Sequence, residues 1–546
     1  MKKYIYKNII SVSLIIIVSI ISFWGIWDIF FQQDEWLGLG RAFSYNYPGG
    51  LFDLIFTLFT PDKLIRFLPL SMTTIYFVFN VLGLNASMHG MLALLLVIIN
   101  ALLIWRVTYK ISKSNVVALI TSIFWVTNNL SSQAITWIGA MIPSQFSMLF
   151  FLSSLYMLLV YLDTQRIRWL IFSVLSIFSS LLFKETSLFY PIPFFVLIWF
   201  FHSHKFNLRK KISTMGFLLA PLLFAIILPR VFVFNTHTLS KVLIVPPLAV
   251  DSIIYNIFLL PARSIFHIYF NNEKIYELFY MANSVHYSSQ INGFVVESII
   301  ADAFSLLVSF YFLLIIFVIT LIVKIEQRKL ILFSLISFFT SFLPFIIYKN
   351  DAAILEPRYY FFPALWSSLL LGSVLFALCT KLGRWTNALI FLVCMPIIFY
   401  NISGLHKSIS QSIVTGTYRN GILNTVSEVK PQLKKDNVFY FYTDNNGFYE
   451  FQSGFGQTLA VWLYDSGKIP REALTDNDFW NGYEGIKSFD KGKYGYFMTY
   501  QKLLNGLKMN PDIDLTSVHA YYWDLQKHTV KNVSVEVREK LKIDLR

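Results

Sequence analysis

Charge is scarce in this chain of 546 residues: Asp, Glu, Lys and Arg together make up 14% of it, where a soluble protein carries about a quarter. That shortage argues against a large soluble enzyme. Cysteine is nearly absent as well. Cys379 and Cys394 both fall in apolar stretches without metal-ligand spacing, so they read as small buried hydrophobes and not as a redox pair or a zinc site. There is no internal repeat, no low-complexity segment and no phosphate-binding glycine loop, since Ser453-Gly454-Phe455-Gly456-Gln457 lacks both the lysine and the spacing. What the chain has in plenty is apolar surface. It is 56% hydrophobic and 18% aromatic, with a mean hydropathy of +0.58, the composition of a protein that lives in a bilayer.

Apolar runs of near-spanning length fall at about 9–27, 86–106, 115–128, 144–162, 168–183, 186–202, 213–229, 302–323, 330–348, 359–380 and 385–401, which predicts about eleven transmembrane helices. Met1-Lys2-Lys3 and the long apolar run after it, without a small-residue cleavage site, read as an uncleaved first span. With the N-terminus in the cytoplasm, the loops expected inside carry Arg106, Lys110, Lys113; Arg166, Arg168; Lys205, Arg209, Lys210, Lys211; Lys324, Arg328, Lys329; and Lys381, Arg384, accompanied by Asp163 and Glu326 alone. This is the charge bias that orients spans. Residues 1–406 hold 27 Lys and Arg against 15 Asp and Glu, and residues 407–546 hold 18 against 16. The basic excess therefore belongs to the membrane half, where it meets headgroups, and argues against nucleic acid as a partner.

The expected fold is a polytopic α-helical membrane protein with a C-terminal soluble α/β or α+β domain. Residues 1–401 form the membrane part, with long outer loops at 28–85 and 230–300, and residues 402–546 form the extracytoplasmic domain. Segments such as Leu51–Phe59 are expected to lie in the membrane interface. In the soluble part, Val438–Tyr442, Tyr494–Tyr500, His519–Leu525 and Val530–Val537 read as strands. Thr458–Leu463 and Gln501–Leu507 read as helices, and Asn445-Asn446-Gly447 marks a turn. The aromatic residues there suit either carbohydrate stacking or an ordinary core.

Four polar clusters fall where outer ends of spans should converge. Gln32-Gln33-Asp34-Glu35-Trp36 follows the first span; its adjacent carboxylates suit a general base or simply solvate a helix end. Arg66-Phe67-Leu68-Pro69-Leu70-Ser71 precedes His89 and Asn100, of which the histidine fits a structural role as readily as a ligand and the asparagine suits helix–helix bonding. Lys184-Glu185-Thr186 separates two spans; it is either a neutralised pair in a short turn or, with its lysine on an otherwise acidic face, an anion site. Glu356-Pro357-Arg358-Tyr359-Tyr360 puts an arginine at the outer mouth of a span, for bidentate phosphate binding or for contact with headgroups. Together these suit transfer from a lipid-linked phosphosugar, in which cations stabilise the departing phosphate and a carboxylate takes the acceptor's proton.

In this order the motifs resemble the GT-C glycosyltransferase superfamily, in particular its protein O-mannosyltransferase and aminoarabinose transferase branch. The likeness covers roughly residues 1–401 and rests on Asp34-Glu35, the Arg66–Ser71 stretch with Gly83-Leu84-Asn85, His89 and Asn100, the Lys184-Glu185-Thr186 turn, and Arg358-Tyr359 with Pro363. It implies an inverting transfer of a monosaccharide from a polyprenyl-phosphate donor to a hydroxyl acceptor on protein, glycan or lipid. Asp34 would be the general base, Glu35 would orient base or acceptor, and Arg66, Lys184 and Arg358 would hold the phosphate, with His89, Glu185 and Tyr359 beside them. That branch requires no metal or other cofactor, and no motif here indicates a divalent cation. The implied setting is the plasma membrane and cell envelope. The chain departs from the branch where many relatives carry a His-Pro pair and this sequence reads Arg66-Phe67-Leu68-Pro69, and the Trp-Trp-Asp motif of oligosaccharyltransferases is absent. The alternatives are a transporter or flippase for a lipid-linked or anionic substrate, which predicts midplane charges or inverted repeats, and an idle scaffold presenting the C-terminal domain.

Overall fold

The structure, a computed structural model, describes residues 2–32, 35–36, 39–40, 68–201, 207–233, 250–269, 290–291, 294–348, 357–379, 386–428, 433–443, 455–465, 474, 484–524, 527 and 529–546. Asp34, Arg66, Glu356, the interfacial segment 51–59 and the turn at Asn445–Gly447 lie outside the described residues. The chain is a polytopic helical membrane protein with a small C-terminal sheet. Among the described residues, seven helices are long and apolar enough to cross a membrane by length and composition, and four shorter apolar helices accompany them.

In chain order the helices of the membrane part are α1 (Lys2–Ser22), α2 (Pro69–Leu82), α3 (Ala86–Ser112), α4 (Asn115–Val126), α5 (Ile138–Thr164), α6 (Ile167–Phe183), α7 (Pro191–Phe201), α8 (Leu208–Val233), α9 (Val250–Tyr269), α10 (Val296–Ile322), α11 (Ile325–Thr340), α12 (Phe361–Cys379) and α13 (Thr386–Ser427). Local chemistry sets several of their ends. Asn85 caps α3 by accepting the Met88 N–H at 3.2 Å, and Ser114 caps α4 by accepting that of Val117. Lys113 closes α3 in the left-handed conformation, φ 56°, so the two-residue link turns the chain straight back into α4.

The sequence reading placed residues 28–85 and 230–300 in loops; the structure puts α2 and α9 inside them. Proline marks both helices. Pro69 stands at the start of α2, where a missing N–H costs nothing. Pro261 sits inside α9, which runs through it while Ser309 of α10 bonds to the Ala262 carbonyl at 3.1 Å. The apolar run 186–202 becomes α-helical only at Pro191, and the run 330–348 is interrupted by a turn at Ser341–Phe342. The change from apolar to polar sequence near residue 402 falls within a single helix, α13. At 1.5 Å per residue its 42 residues extend about 60 Å, twice the hydrocarbon thickness of a bilayer.

The two ends of α5 define the two ends of the bundle. At its C-terminal end Lys110 pairs with Asp163 at 2.9 Å and Lys210 bonds to Gln165, so three loops expected on the cytoplasmic side meet there. Its N-terminal end, about 40 Å away, receives the segments expected outside. In the middle, Asn100 of α3 donates to the Gln145 side chain at 2.7 Å and to its carbonyl at 3.1 Å, the interhelical bond foreseen for that asparagine. A two-stranded hairpin, β1 (Gln290–Ile291) and β2 (Phe294–Val295), precedes α10.

The C-terminal sheet contains β3 (Asn437–Thr443), β4 (Gly485–Phe489), β5 (Gly492–Phe497), β6 (Val518–Asp524) and β7 (Thr529–Asn532), with helices α14 (Phe455–Asp465), α15 (Tyr500–Lys508) and α16 (Ser534–Asp544). The order is β4-β5-β3-β6-β7, with the three inner strands parallel and both outer pairs antiparallel. Val438 and Tyr440 face a core that includes Leu503, Leu507, Val537 and Leu541, the apolar sides of α15 and α16. Phe439 and Phe441 face the other way, into a core continuous with α13 and with Phe31 and Trp36 of the first loop. The strand expected over 530–537 ends at Asn532, because Ser534, Val537 and Leu541 are buried at helical spacing.

Candidate functional site

α5 and α6 are antiparallel and joined by serines. Ser154 and Ser173 lie Oγ to Oγ at 3.0 Å and each donates to the other's carbonyl, at 2.7 and 2.9 Å. Seven residues along each helix, Ser147 and Ser180 repeat the contact at 3.0 Å. Small hydroxylated side chains allow this close approach in a membrane bundle and satisfy one another there. Ser187, in the 3-10 turn Glu185–Phe189, joins the upper pair at 2.8 Å from Ser147 and donates to the Lys184 carbonyl at 2.6 Å. The serines therefore fix the turn that carries Lys184. Its backbone is extended, and its ammonium donates to Ser144 Oγ of α5 at 2.8 Å.

Arg358 arrives from the far side of the chain. It sits in the 3-10 turn Pro357–Tyr360 that leads into α12, and its backbone N–H donates to Gln133 Oε1 at 3.3 Å. Its guanidinium carbon lies 4.8 Å from the Trp137 ring centroid and 5.3 Å from that of Tyr359. Lys184 Nζ lies 5.9 Å from the same Tyr359 ring. The two cations thus share one aromatic ring, which attracts each through its face and limits their freedom.

Between them is a small, open-mouthed cavity whose enclosed part has room for about one water molecule. The hydroxyls of Ser144, Thr186 and Ser341 add polar groups to the two cations. Its base is aromatic: Tyr190 and Phe362 stack at 3.5 Å, and Phe151 packs edge-on against both at 4.9 Å. No carboxylate lines it among the described residues. Two cations, several hydroxyls and an apolar floor form a surface suited to an anionic group with an apolar tail.

Glu35 has a different place. Its side chain is 1% exposed. One carboxylate oxygen accepts the N–H groups of Ile138 and of Gly139, the latter at 3.3 Å, and the other accepts that of Gln32 at 2.5 Å. Ile138 and Gly139 open α5, so Glu35 caps that helix, its carboxyl oxygens accepting the free N–H groups at the positive end of the dipole. Burial pushes its pKa from 4.5 up to about 7, against the opposing pull of the three amides and of Arg419. Glu35 is thereby a docking group for the first outer loop, with both oxygens engaged.

The first two turns of α5 and their cap consequently hold three of the sequence motifs at once. Trp137 lies under Arg358, Ile138 and Gly139 hold Glu35, and Ser144 holds Lys184. Tyr359 joins the two cations. Asp34 and Arg66 lie outside the described residues; Glu185 is described only in its backbone, as part of the 3-10 turn. His89 does not line the cavity. It is fully buried, meets the Gly83 carbonyl through Nε2 at 3.1 Å, and lies edge-on to Phe31 and Phe79. Its place is at the turn between α2 and α3. Next to it, Gly90 lets the chain leaving α1 pass close by, since a Cβ there would come within 2.5 Å of the Ile26 carbonyl oxygen.

Sequence reasoning missed Gln133, Trp137 and Ser144. The polar run Thr127–Gln133 between two apolar spans marks Gln133, whereas Trp137 and Ser144 carry no such signal.

No family model matches the chain, and no curated protein matches it in sequence. Among solved structures it is similar to the oligosaccharyltransferase of Archaeoglobus fulgidus in its apo form, with a TM-score of 0.43 and 11% identity over 83% of this chain. The chain covers 63% of that protein's length, less than two thirds of it.

Proposed function

We propose that this protein is a membrane glycosyltransferase of the GT-C kind, which moves a monosaccharide from a polyprenyl-phosphate donor to a hydroxyl acceptor on the outer face of the plasma membrane. The observation that carries the reading is the cavity in which Lys184 and Arg358 share Tyr359 above an aromatic floor. A phosphate placed there meets two cations and the hydroxyls, and an attached polyprenyl chain finds apolar surface beneath. In the reaction the acceptor oxygen attacks the anomeric carbon as the carbon–oxygen bond to phosphate breaks. The phosphate leaves with the electron pair, and its growing charge is stabilised by Lys184 and Arg358. Asp34 takes the acceptor's proton. Attack opposite the leaving group inverts the anomeric centre. Glu35 serves this scheme by fixing the loop that presents its neighbour Asp34.

The test is binding of a polyprenyl phosphate to the detergent-purified protein, followed by thermal shift, since a ligand of the native state raises its apparent stability. Arg358→Ala and Lys184→Ala should each weaken binding about tenfold to a hundredfold, the worth of a hydrogen bond to a charged group. Asp34→Asn should bind the lipid normally and lose transfer. Equal binding by wild type and both cation variants would remove the cavity from the mechanism.

A further inference from the structure

The chain that leaves α1 runs along one face of α13. The His406 ring meets the Ile21 carbonyl at 2.6 Å. A side chain added at Gly25 would touch Ile413 at 3.4 Å and Ile409 at 3.7 Å. Gly416 crosses Phe30 so closely that a Cβ on it would stand 2.8 Å from the phenylalanine's own Cβ and 2.9 Å from its nitrogen. Positions 406, 409, 413 and 416 recur every three or four residues, which is one face of a helix. As the first-loop chain advances from Ile21 to Phe30, its partners on α13 advance with it. One further step of three residues on this face brings Arg419, while the loop reaches Glu35. Arg419 is 9% exposed and Glu35 1%. A guanidinium is rarely so buried without negative charge nearby, and the positive field of Arg419 acts on the Glu35 carboxyl, favouring its ionised form.

We propose that Arg419 is a positioning residue for the first outer loop: carried along α13 past the Gly416–Phe30 crossing, its buried guanidinium keeps Glu35 seated on the opening amides of α5. The C-terminal domain is tied to the same helix end, through Tyr418 against Trp523 at 6.3 Å and the Trp462 N–H donating to Ser427 Oγ at 3.1 Å. The sheet domain thus packs on the helix that carries Arg419. This deepens the glycosyltransferase reading and rests on it for the consequence in catalysis, whereas the contact itself is tested without any substrate.

The experiment is amide hydrogen exchange on the full-length protein in detergent, with peptides covering Trp137–Ala140. Arg419→Met should speed exchange at Ile138 and Gly139 by at least about tenfold, because the carboxyl that accepts them is loosened. Arg419→Lys, which keeps the charge, should restore most of the protection; a residue that merely filled space would not be rescued this way. Polyprenyl phosphate, the probe for the cavity, should bind Arg419→Met as it binds wild type, since the cavity cations are untouched, while turnover falls. Unchanged exchange at Ile138 and Gly139 overturns the proposal. So does a loss of polyprenyl phosphate binding as large as that of Arg358→Ala, which would make Arg419 a phosphate ligand. If the probe binds neither protein, the glycosyltransferase reading fails and the exchange result still decides the contact. If Arg419→Met does not fold, removing the charges together in Glu35→Gln/Arg419→Met should recover a folded protein; a double variant as poorly folded as the single one overturns the pairing.

Discussion

Replacing Glu35 by glutamine should change how the stability of the protein depends on pH. The carboxyl is buried, and its pKa is raised from 4.5 to about 7 because burial outweighs the amide hydrogen bonds and Arg419. At about 1.4 kcal/mol for each pH unit, ionising it inside the fold is about 3 kcal/mol harder than in the unfolded chain. The folded carboxyl keeps its proton up to about pH 7 and the unfolded one only to about 4.5, so folding takes up a proton between those values. This contribution to stability is therefore fully present below pH 4.5, is lost as pH rises towards 7, and is constant above. Glutamine cannot ionise and lacks the contribution. It also replaces one acceptor oxygen by an NH₂ group facing amide donors, a loss of about 1–3 kcal/mol at any pH. Relative to wild type, Glu35→Gln should look least stable at pH 5 and should close the gap, or reverse it, by pH 8. The assay is thermal unfolding of the two purified proteins in detergent, followed by tryptophan fluorescence at both pH values. A stability difference that stays constant between pH 5 and pH 8 would refute the reasoning and show that Glu35 has the same charge in both states.

Other outcomes follow from the same contacts. His519 stacks on Phe439 at 5.3 Å inside the C-terminal sheet, and burial lowers its pKa from 6.5 to about 4. Its contribution has the opposite sign: it is present above pH 6.5 and lost as pH falls to about 4, worth about 3 kcal/mol. His519→Phe should flatten acid unfolding in that window, and an unaltered acid profile would exclude the histidine as its source. Ser147→Leu forces a large side chain between α5 and α6 and should destabilise by about 1–3 kcal/mol. It should also weaken polyprenyl phosphate binding by moving Lys184 off Ser144, so wild-type values in both assays would show that the serine contact positions nothing. Asn100→Leu strands the Gln145 side chain and should cost about 0.6–1.7 kcal/mol, read from chemical unfolding in mild detergent.

The sequence by itself determined that this chain crosses membranes and which ends of its helices belong together. Shortage of charge and long apolar runs mark it as a protein of the bilayer, and Lys110, Asp163, Gln165 and Lys210, from three of the loops expected on one side, meet at one end of α5. Composition and alternation were also enough to place β3, β5, β6 and α15. The loop expected at 28–85 contains a helix, α2, which Pro69 opens where a missing N–H costs nothing. β4 and α16 were missed because half-buried alternation and helical spacing overlap in short segments. Only the tertiary structure decided what the polar motifs do. Lys184 and Arg358 are 174 positions apart in the chain, and their shared ring at Tyr359 depends on a turn held by serines that have no chemical distinction of their own. Asp34 and Glu35 are neighbours in sequence, yet Glu35 is spent on the dipole of a helix that begins at residue 138. A carboxylate's role is fixed by which donors surround it, and those donors are backbone amides that belong to a fold and not to a motif.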